Sequence, residues 1–404
     1  MKNFSTQERK NIVVLAATAF LRGAHNSVFN VIWQPFVLSL GVSMSMLGAL
    51  SSLAGMNGIV TTIAQPLGGW SADRLGRKPF ILAASFVIAL AYVLFVVAGL
   101  TQWWWVLVLG FVLYASSALT NPARASMVAE SVRAGRHGTA FSLMLVAGIV
   151  PGIVAPTLGG WLADRFGYVS VFPIGVALEV IVLLIVWRFL RETRSADGTT
   201  IRWRDAMRAL IQSMTPPKAL RGFFLACAGD SFAWGMGWGL LYGMLSKTYN
   251  FSTEQLGVMA SISSLAWAIA QMPIGRYIDS RGTRGMLIFS EAIGIPLMLI
   301  AITQTRFEIF AAAQILFGLT AATWVPTTQT FLSRSVSAET RAETFGRLNM
   351  FRGLIAFPAS WIGGMLYDAG SLPLPMFANL IGILVVIAIL ILFVREPKTE
   401  VSSQ

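Results

Sequence analysis

Gly68-Gly69-Trp70-Ser71-Ala72-Asp73-Arg74-Leu75-Gly76-Arg77-Lys78-Pro79 is a short polar loop set between two long apolar runs. Each residue type in it has a physical use. Glycine at 69 removes a side chain where two helices approach closely. Gly76 permits a tight turn. Asp73 closes the preceding run, where a carboxylate stabilises the positive N-terminus of a neighbouring helix beginning on the same face. The run that starts near Thr344 supplies such a helix. Arg77 and Lys78 suit lipid phosphates or acidic partners.

Outward from this loop the chain is apolar. Of 404 residues 55% are hydrophobic and 12% charged, with a mean hydropathy of +0.69. Soluble domains carry about 25% charged residues, so lipid rather than water must solvate this surface. Crossing the hydrocarbon core takes about 20 apolar residues in a helix. Twelve candidate runs lie near 11–39, 44–70, 79–100, 103–124, 139–161, 169–190, 220–246, 254–275, 284–303, 307–332, 344–367 and 373–394. They are numbered spans 1 to 12. A polar stretch at 191–219, with Pro216 and Pro217, separates an N-terminal half (1–190) from a C-terminal half (220–404).

Charge placement orients the chain. With the N-terminus in the cytoplasm, nearly all of the 30 Lys and Arg fall in cytoplasmic segments. The exceptions are Arg22 and Arg352 inside spans, and Arg165, Lys247 and Arg306 on the opposite face. That asymmetry is the positive-inside signature. It also explains the net charge of +12 without a nucleic-acid partner. Lys2, Arg9 and Lys10 resemble the start of a signal peptide, but the apolar run continues to Leu40, too long for one. One cysteine, Cys227, excludes an intrachain disulfide. His25 and His137 form no cluster with metal-ligand spacing.

The two halves repeat. Gln65, Gly69, Asp73 and Gly76 recur as Gln271, Gly275, Asp279 and Gly282, each 206 residues on. Pro122, Phe141, Gly159, Gly160 and Asp164 recur as Pro326, Phe345, Gly363, Gly364 and Asp368, each 204 residues on. Parallel repeats of this kind are a transporter architecture, with the substrate site where the halves meet.

The opening loop resembles the signature G-x-x-x-D-R-x-G-R-[RK] of the major facilitator superfamily, matching it through Gly69, Asp73, Arg74, Gly76, Arg77 and Lys78. Gly275, Asp279, Gly282 and Arg284 form a degraded second copy. The resemblance implies an all-α polytopic fold of twelve transmembrane helices in two six-helix pseudo-repeats, with both termini cytoplasmic. It implies that the loop residues latch the halves closed on the inside. Gly148, Gly152, Pro156, Gly159 and Gly160 in span 5 partly resemble the Gly/Pro motif of facilitator antiporters, departing at Ala155 and in the register of Gly152. Simple close packing of small residues explains them equally. The span 4 arginine usual in proton-coupled exporters is missing.

In the family architecture spans 1, 4, 7 and 10 line the cavity, and 3, 6, 9 and 12 lie outside. Ionisable residues in lipid are costly and mark function by default. Span 1 places Arg22, Asn26, Asn30 and Gln34 four residues apart, on one slowly drifting face. Span 7 does the same with Asp230, Trp234, Trp238 and Tyr242. Asn121, Trp324 and Arg352 complete the expected cavity. Arg22 and Asp230 hold nearly equivalent places in the two halves. Two readings fit them: a permanent ion pair, or an Asp230 that carries a proton. Glu179 in span 6 and Glu291 in span 9 read as snorkelling or structural acids on peripheral helices, tolerant of Gln.

The expected function is secondary transport of a small molecule by alternating access. The first reading is proton-coupled efflux of a hydrophobic or amphipathic compound from the inner (plasma) membrane by a monomer in contact with lipid. The alternative is proton-coupled uptake of an organic anion or sugar-like solute, with Arg22 and Arg352 as anion clamps. An intramembrane enzyme needs a nucleophile–base or metal constellation that His25 alone does not supply. A transporter-like receptor usually brings an additional soluble domain. No cofactor is expected beyond the proton gradient.

Overall fold

The computed structural model describes residues 6–132, 137–193 and 214–397, with the side chains of 6–9, 69–75, 137–139, 279–281, 338–339 and 342 outside that description. Every regular element among the described residues is helical. Helices α1 (Thr6–Ser39), α2 (Met44–Ala54), α3 (Ile59–Leu75), α4 (Arg77–Thr101), α5 (Trp104–Ser116), α6 (Asn121–Glu130), α7 (His137–Ile149), α8 (Ala155–Phe166) and α9 (Phe172–Phe189) come first. After them come α10 (Arg221–Met236), α11 (Leu241–Tyr249), α12 (Thr253–Arg281), α13 (Thr283–Thr303), α14 (Phe307–Ser335), α15 (Ala338–Ala356), α16 (Ala359–Gly370) and α17 (Pro373–Phe393). Much of the 191–219 stretch lies outside the described residues.

Ten helical stretches among the described residues are long and apolar enough to cross a membrane. They include Lys10–Ser39, Arg77–Thr101 and Pro373–Phe393. The other two expected runs are helical but broken. The 220–246 run turns through a short 3-10 element at Trp238–Leu240, and the 344–367 run breaks at Phe357 and Pro358. Proline lacks the N–H that would continue the ladder and crowds the preceding turn.

Two compact units emerge. The first comprises Met1–Val42, Leu53–Met207 and Asn250–Ser261; the second comprises Ser43–Ser52, Arg208–Tyr249 and Ile262–Gln404. Ile12, Leu15, Ile81, Met127, Val182 and Val186 form an apolar core in the first. Phe223, Phe224, Cys227, Leu287, Leu332 and Leu390 do so in the second. Large apolar side chains also point outward: Phe86 is 61% exposed, and Leu100 and Leu392 are 72% exposed. Water would penalise that surface at about 25 cal/mol per Å2; lipid does not.

The repeated glycines and acids do the same work twice. In the first unit Gly160 leaves no room for a Cβ against the Thr253 backbone, and Gly257 leaves none against Pro156. Asp164 accepts hydrogen bonds from the Thr253 and Glu254 N–H groups at 2.9 and 2.7 Å, capping α12. In the second unit Gly364 meets the Met44 backbone and Gly48 meets Ser360. Asp368 accepts from the Met44 and Ser45 N–H groups at 3.3 and 2.8 Å, capping α2. A carboxylate satisfies orphan donors at a helix start and complements its dipole.

Candidate functional site

The middle of the first unit holds a polar knot. Glu179 on α9 is fully buried and Arg22 on α1 is 5% exposed. Arg22 Nε lies 2.9 Å from Glu179 Oε1, and Arg22 Nη2 donates to Ser85 Oγ on α4 at 2.7 Å. His25, one turn along α1, places Nε2 2.9 Å from the same Glu179 oxygen and Nδ1 2.9 Å from the Tyr92 hydroxyl. Tyr92 in turn packs edge-on against Phe29 and Phe95. Arg22 thus finds its counter-charge in its own unit. Glu179, read from sequence as a tolerant peripheral acid, is the centre of an ion-paired network.

The second unit is built differently at its middle. Asp230 on α10 is 8% exposed and Glu291 on α13 is fully buried. The Glu291 carboxyl lies against the Asp230 carboxyl and the Trp234 indole, yet neither of its oxygens makes a hydrogen bond of ordinary geometry. Ser231 Oγ is 3.4 Å from Asp230 Oδ2, and Arg352 on α15 acts on Asp230 electrostatically. Gly294, one turn beyond Glu291, lets the Trp234 ring approach α13. Trp234, Trp238 and Phe317 form an aromatic cluster, with ring centroids 6.0, 5.8 and 5.2 Å apart.

The remaining cavity candidates belong to both units. Asn26, Asn30 and Asn121 are exposed on the first unit, Asn26 accepting from Tyr114 Oη at 2.6 Å. Gln34 is buried. Trp324 belongs to the apolar core of the second unit.

Both signature loops turn on a left-handed glycine, Gly76 at φ 86° and Gly282 at φ 83°. An acid just beyond the last apolar run of the same half seals each. Glu192 accepts from the Arg77 and Lys78 N–H groups at 3.3 and 2.9 Å. Glu396 accepts from those of Thr283 and Arg284 at 2.6 and 2.7 Å. Arg77 is held by Glu130 at 2.7 Å, and Arg284 donates to the Leu390 and Ile391 carbonyls. The close approach in the first loop is made by Gly68, against the Leu119 backbone; Gly275 has open space. The side chains of Asp73, Arg74 and Asp279, and the surroundings of Gly69, lie outside the described residues. Glu192 and Glu396 were missed from sequence, although the 204-residue repeat relates them, each following an arginine after the last run of its half.

The span 5 motif resolves into packing contacts. Gly23 on α1 sits against the Gly148 backbone, Gly159 on Val28, and Pro156 on Gly257.

The model of the family described as Major Facilitator Superfamily matches residues 15–229 and again 222–404. The chain belongs to the major facilitator superfamily. It is therefore a multi-pass membrane transporter of small molecules and not an enzyme. The chain is similar to the Multidrug resistance protein MdtG of Yersinia enterocolitica serotype O:8, 25% identical over 357 residues, covering 86% of this chain and 84% of that one. It is equally similar to the MdtG of Serratia proteamaculans, 25% identical over 360 residues with the same coverage. Among solved structures, a D-xylose-proton symporter superposes with a TM-score of 0.74 at 15% identity, over 97% of this chain and 99% of that one. The human organic anion transporter MFSD10 gives 0.69 at 16% identity, over 96% and 100%. These structural likenesses show the facilitator fold.

Proposed function

We propose that this facilitator exports hydrophobic or amphipathic small molecules by alternating access, driven by the proton gradient across the inner membrane. The observation that carries the reading is the similarity, over 86% of the chain, to proteins named for multidrug resistance. The aromatic cluster of Trp234, Trp238 and Phe317 supports it. Aromatic rings give flat apolar solutes a large contact area with little geometric demand.

On this reading twelve spans cross the membrane with both termini inside, in halves 1–190 and 220–404 joined by 191–219. The broken helices at 221–249 and 338–370 are the two spans not apolar enough to stand out by themselves. Arg22, Asn26, Asn30, Gln34, Asn121, Asp230, Trp234, Trp238, Trp324 and Arg352 belong to the transport path or its support. Asp73, Arg74, Arg77, Lys78, Asp279 and Arg284, with Gly69, Gly76, Gly275 and Gly282, form the cytoplasmic gate. The protein works as a monomer in lipid. Organic-anion uptake is the weaker reading, because Glu179 already neutralises Arg22.

Proteoliposomes carrying a pH gradient test this directly. Lipophilic dyes and drugs should be accumulated as the gradient is discharged. Accumulation of sugars or organic acids instead, or of no probe at all, would overturn the reading.

A further inference from the structure

We infer that Asp230 and Glu291 together form the proton-binding site of this transporter, one proton being shared by two carboxyl groups. The inference rests on the proton-driven reading above and names the residues that would serve it.

Charge counting in the two units leads to it. The first unit's knot pairs its charges: one guanidinium, Arg22, faces one carboxylate, Glu179, and the His25 ring bonds to the same carboxylate. The second unit sets two buried carboxyl groups, Asp230 and Glu291, side by side, with the Arg352 guanidinium acting on Asp230. Fully ionised, that cluster carries one net negative charge. Glu291 is fully buried and makes no ordinary hydrogen bond. A carboxylate stripped of water and left without donors is among the costliest groups a protein can bury. One proton brings the cluster to neutrality and gives Glu291 a hydrogen bond with Asp230.

The elements packed around the pair offer no other compensation among the described residues. Helix α10 contributes Cys227 one turn away, whose thiol is buried. Helix α17 carries no ionisable residue. Helix α14 has only Glu308 and Arg334, near its two ends. On α16, Asp368 is committed to capping α2, and Tyr367 shares a hydrogen bond with Thr248. On α15, Arg347 pairs with Glu343 at 3.4 Å and Arg341 donates to the Ser333 carbonyl; Arg352 is the cation that acts on Asp230. Trp234 ties the pair to the aromatic cluster, because its indole faces Glu291 while its ring contacts Phe317.

The step balances simply. A proton from the external water converts one carboxylate to a carboxylic acid, and the new O–H donates to the other carboxylate. Loss of that proton to the internal water restores the second charge. Solute at the Trp234 face disturbs the same contact and links binding to release.

The test uses the full-length protein, wild type, Glu291→Gln and Asp230→Asn, purified and reconstituted with a lipophilic fluorescent dye. Glu291→Gln leaves Asp230 as the lone acid with Arg352, a neutral cluster that needs no proton, and Asp230→Asn removes the carboxylate that accepts from the protonated acid. Infrared spectra of the wild type at neutral pH should show a protonated-carboxyl C=O band that is missing in Glu291→Gln and shifted in Asp230→Asn. Gradient-driven dye accumulation should be lost in both variants, while dye counterflow without a gradient persists in Glu291→Gln. An unchanged band in both variants, or wild-type gradient-driven accumulation in either, would overturn the inference. The two substitutions back each other up: if one protein fails to fold, the other carries both measurements. If the band behaves as stated but the wild type accumulates no dye under a pH gradient, proton-driven efflux fails and the protonated pair stands.

Discussion

The two halves of this transporter place charge in an apolar interior in opposite ways. Ser85 and Glu291 are separated by the 206 residues that relate Gly76 to Gly282. At that helix position the N-terminal half offers a hydroxyl that accepts from Arg22, whose charge Glu179 balances. The C-terminal half places a carboxyl there, beside a second one from Asp230. An ion-paired knot tied to Ser85 and Tyr92 is suited to holding helices in place. A cluster with one acid too many is suited to gaining and losing a proton. Their ends, by contrast, are alike: Asp164 and Asp368 cap helices in the same manner, as do Glu192 and Glu396. Repetition preserved the joints and let the centres diverge.

The sharpest way to break this comparison is to neutralise one acid in each half. Glu179→Gln strands the Arg22 guanidinium in the interior and should cost about 3–5 kcal/mol, read as a large drop in unfolding temperature in detergent. Glu291→Gln removes an excess charge and should leave that temperature unchanged or raise it. The opposite ranking would mean that the roles of the two centres are reversed.

A double variant sharpens the first result. Arg22→Gln with Glu179→Gln removes both charges and should be more stable than Glu179→Gln alone, because contacting partners are not additive. Equal stability of the single and the double would show that Arg22 draws no stabilisation from Glu179.

Smaller effects follow from the periphery of the knot. Ser85→Ala removes an acceptor for the Arg22 guanidinium and should cost about 1.5–3 kcal/mol, the range for a hydrogen bond to a charged group. Denaturant or thermal unfolding that does not distinguish the variant from wild type would remove Ser85 from the network.

The smallest expected change concerns the joints. Asp164→Asn and Asp368→Asn keep the side-chain shape but lose the charge that meets the helix dipole, at about 0.3–1 kcal/mol each. The two variants should match within error in unfolding temperature. A large difference between them would show that the repeat does not extend to the joints.

Much of this molecule was legible before any fold was seen. The apolar runs are written in composition, because lipid selects side chains residue by residue along each helix. The all-helical, multi-pass architecture and the family followed from those runs and from the loop around Asp73. Gly76 and Gly282 were legible because a left-handed turn requires glycine. Gly160 and Asp164, with Gly364 and Asp368, stood out through their repeat spacing, though the helix each pair receives did not. What the sequence left open were pairings across helices. Arg22 and Asp230 read either as partners in an ion pair or as a proton-carrying Asp230 with an arginine nearby, and Glu179 and Glu291 looked peripheral. Tertiary structure decided instead that Arg22 belongs to Glu179 and that Glu291 lies against Asp230. The physical reason is that a helix period tells which face a residue shares with its own neighbours, while the partner of a buried charge is set by which helices pack together. That packing depends on small residues such as Gly294 and Gly23, whose role is to be absent where another helix arrives.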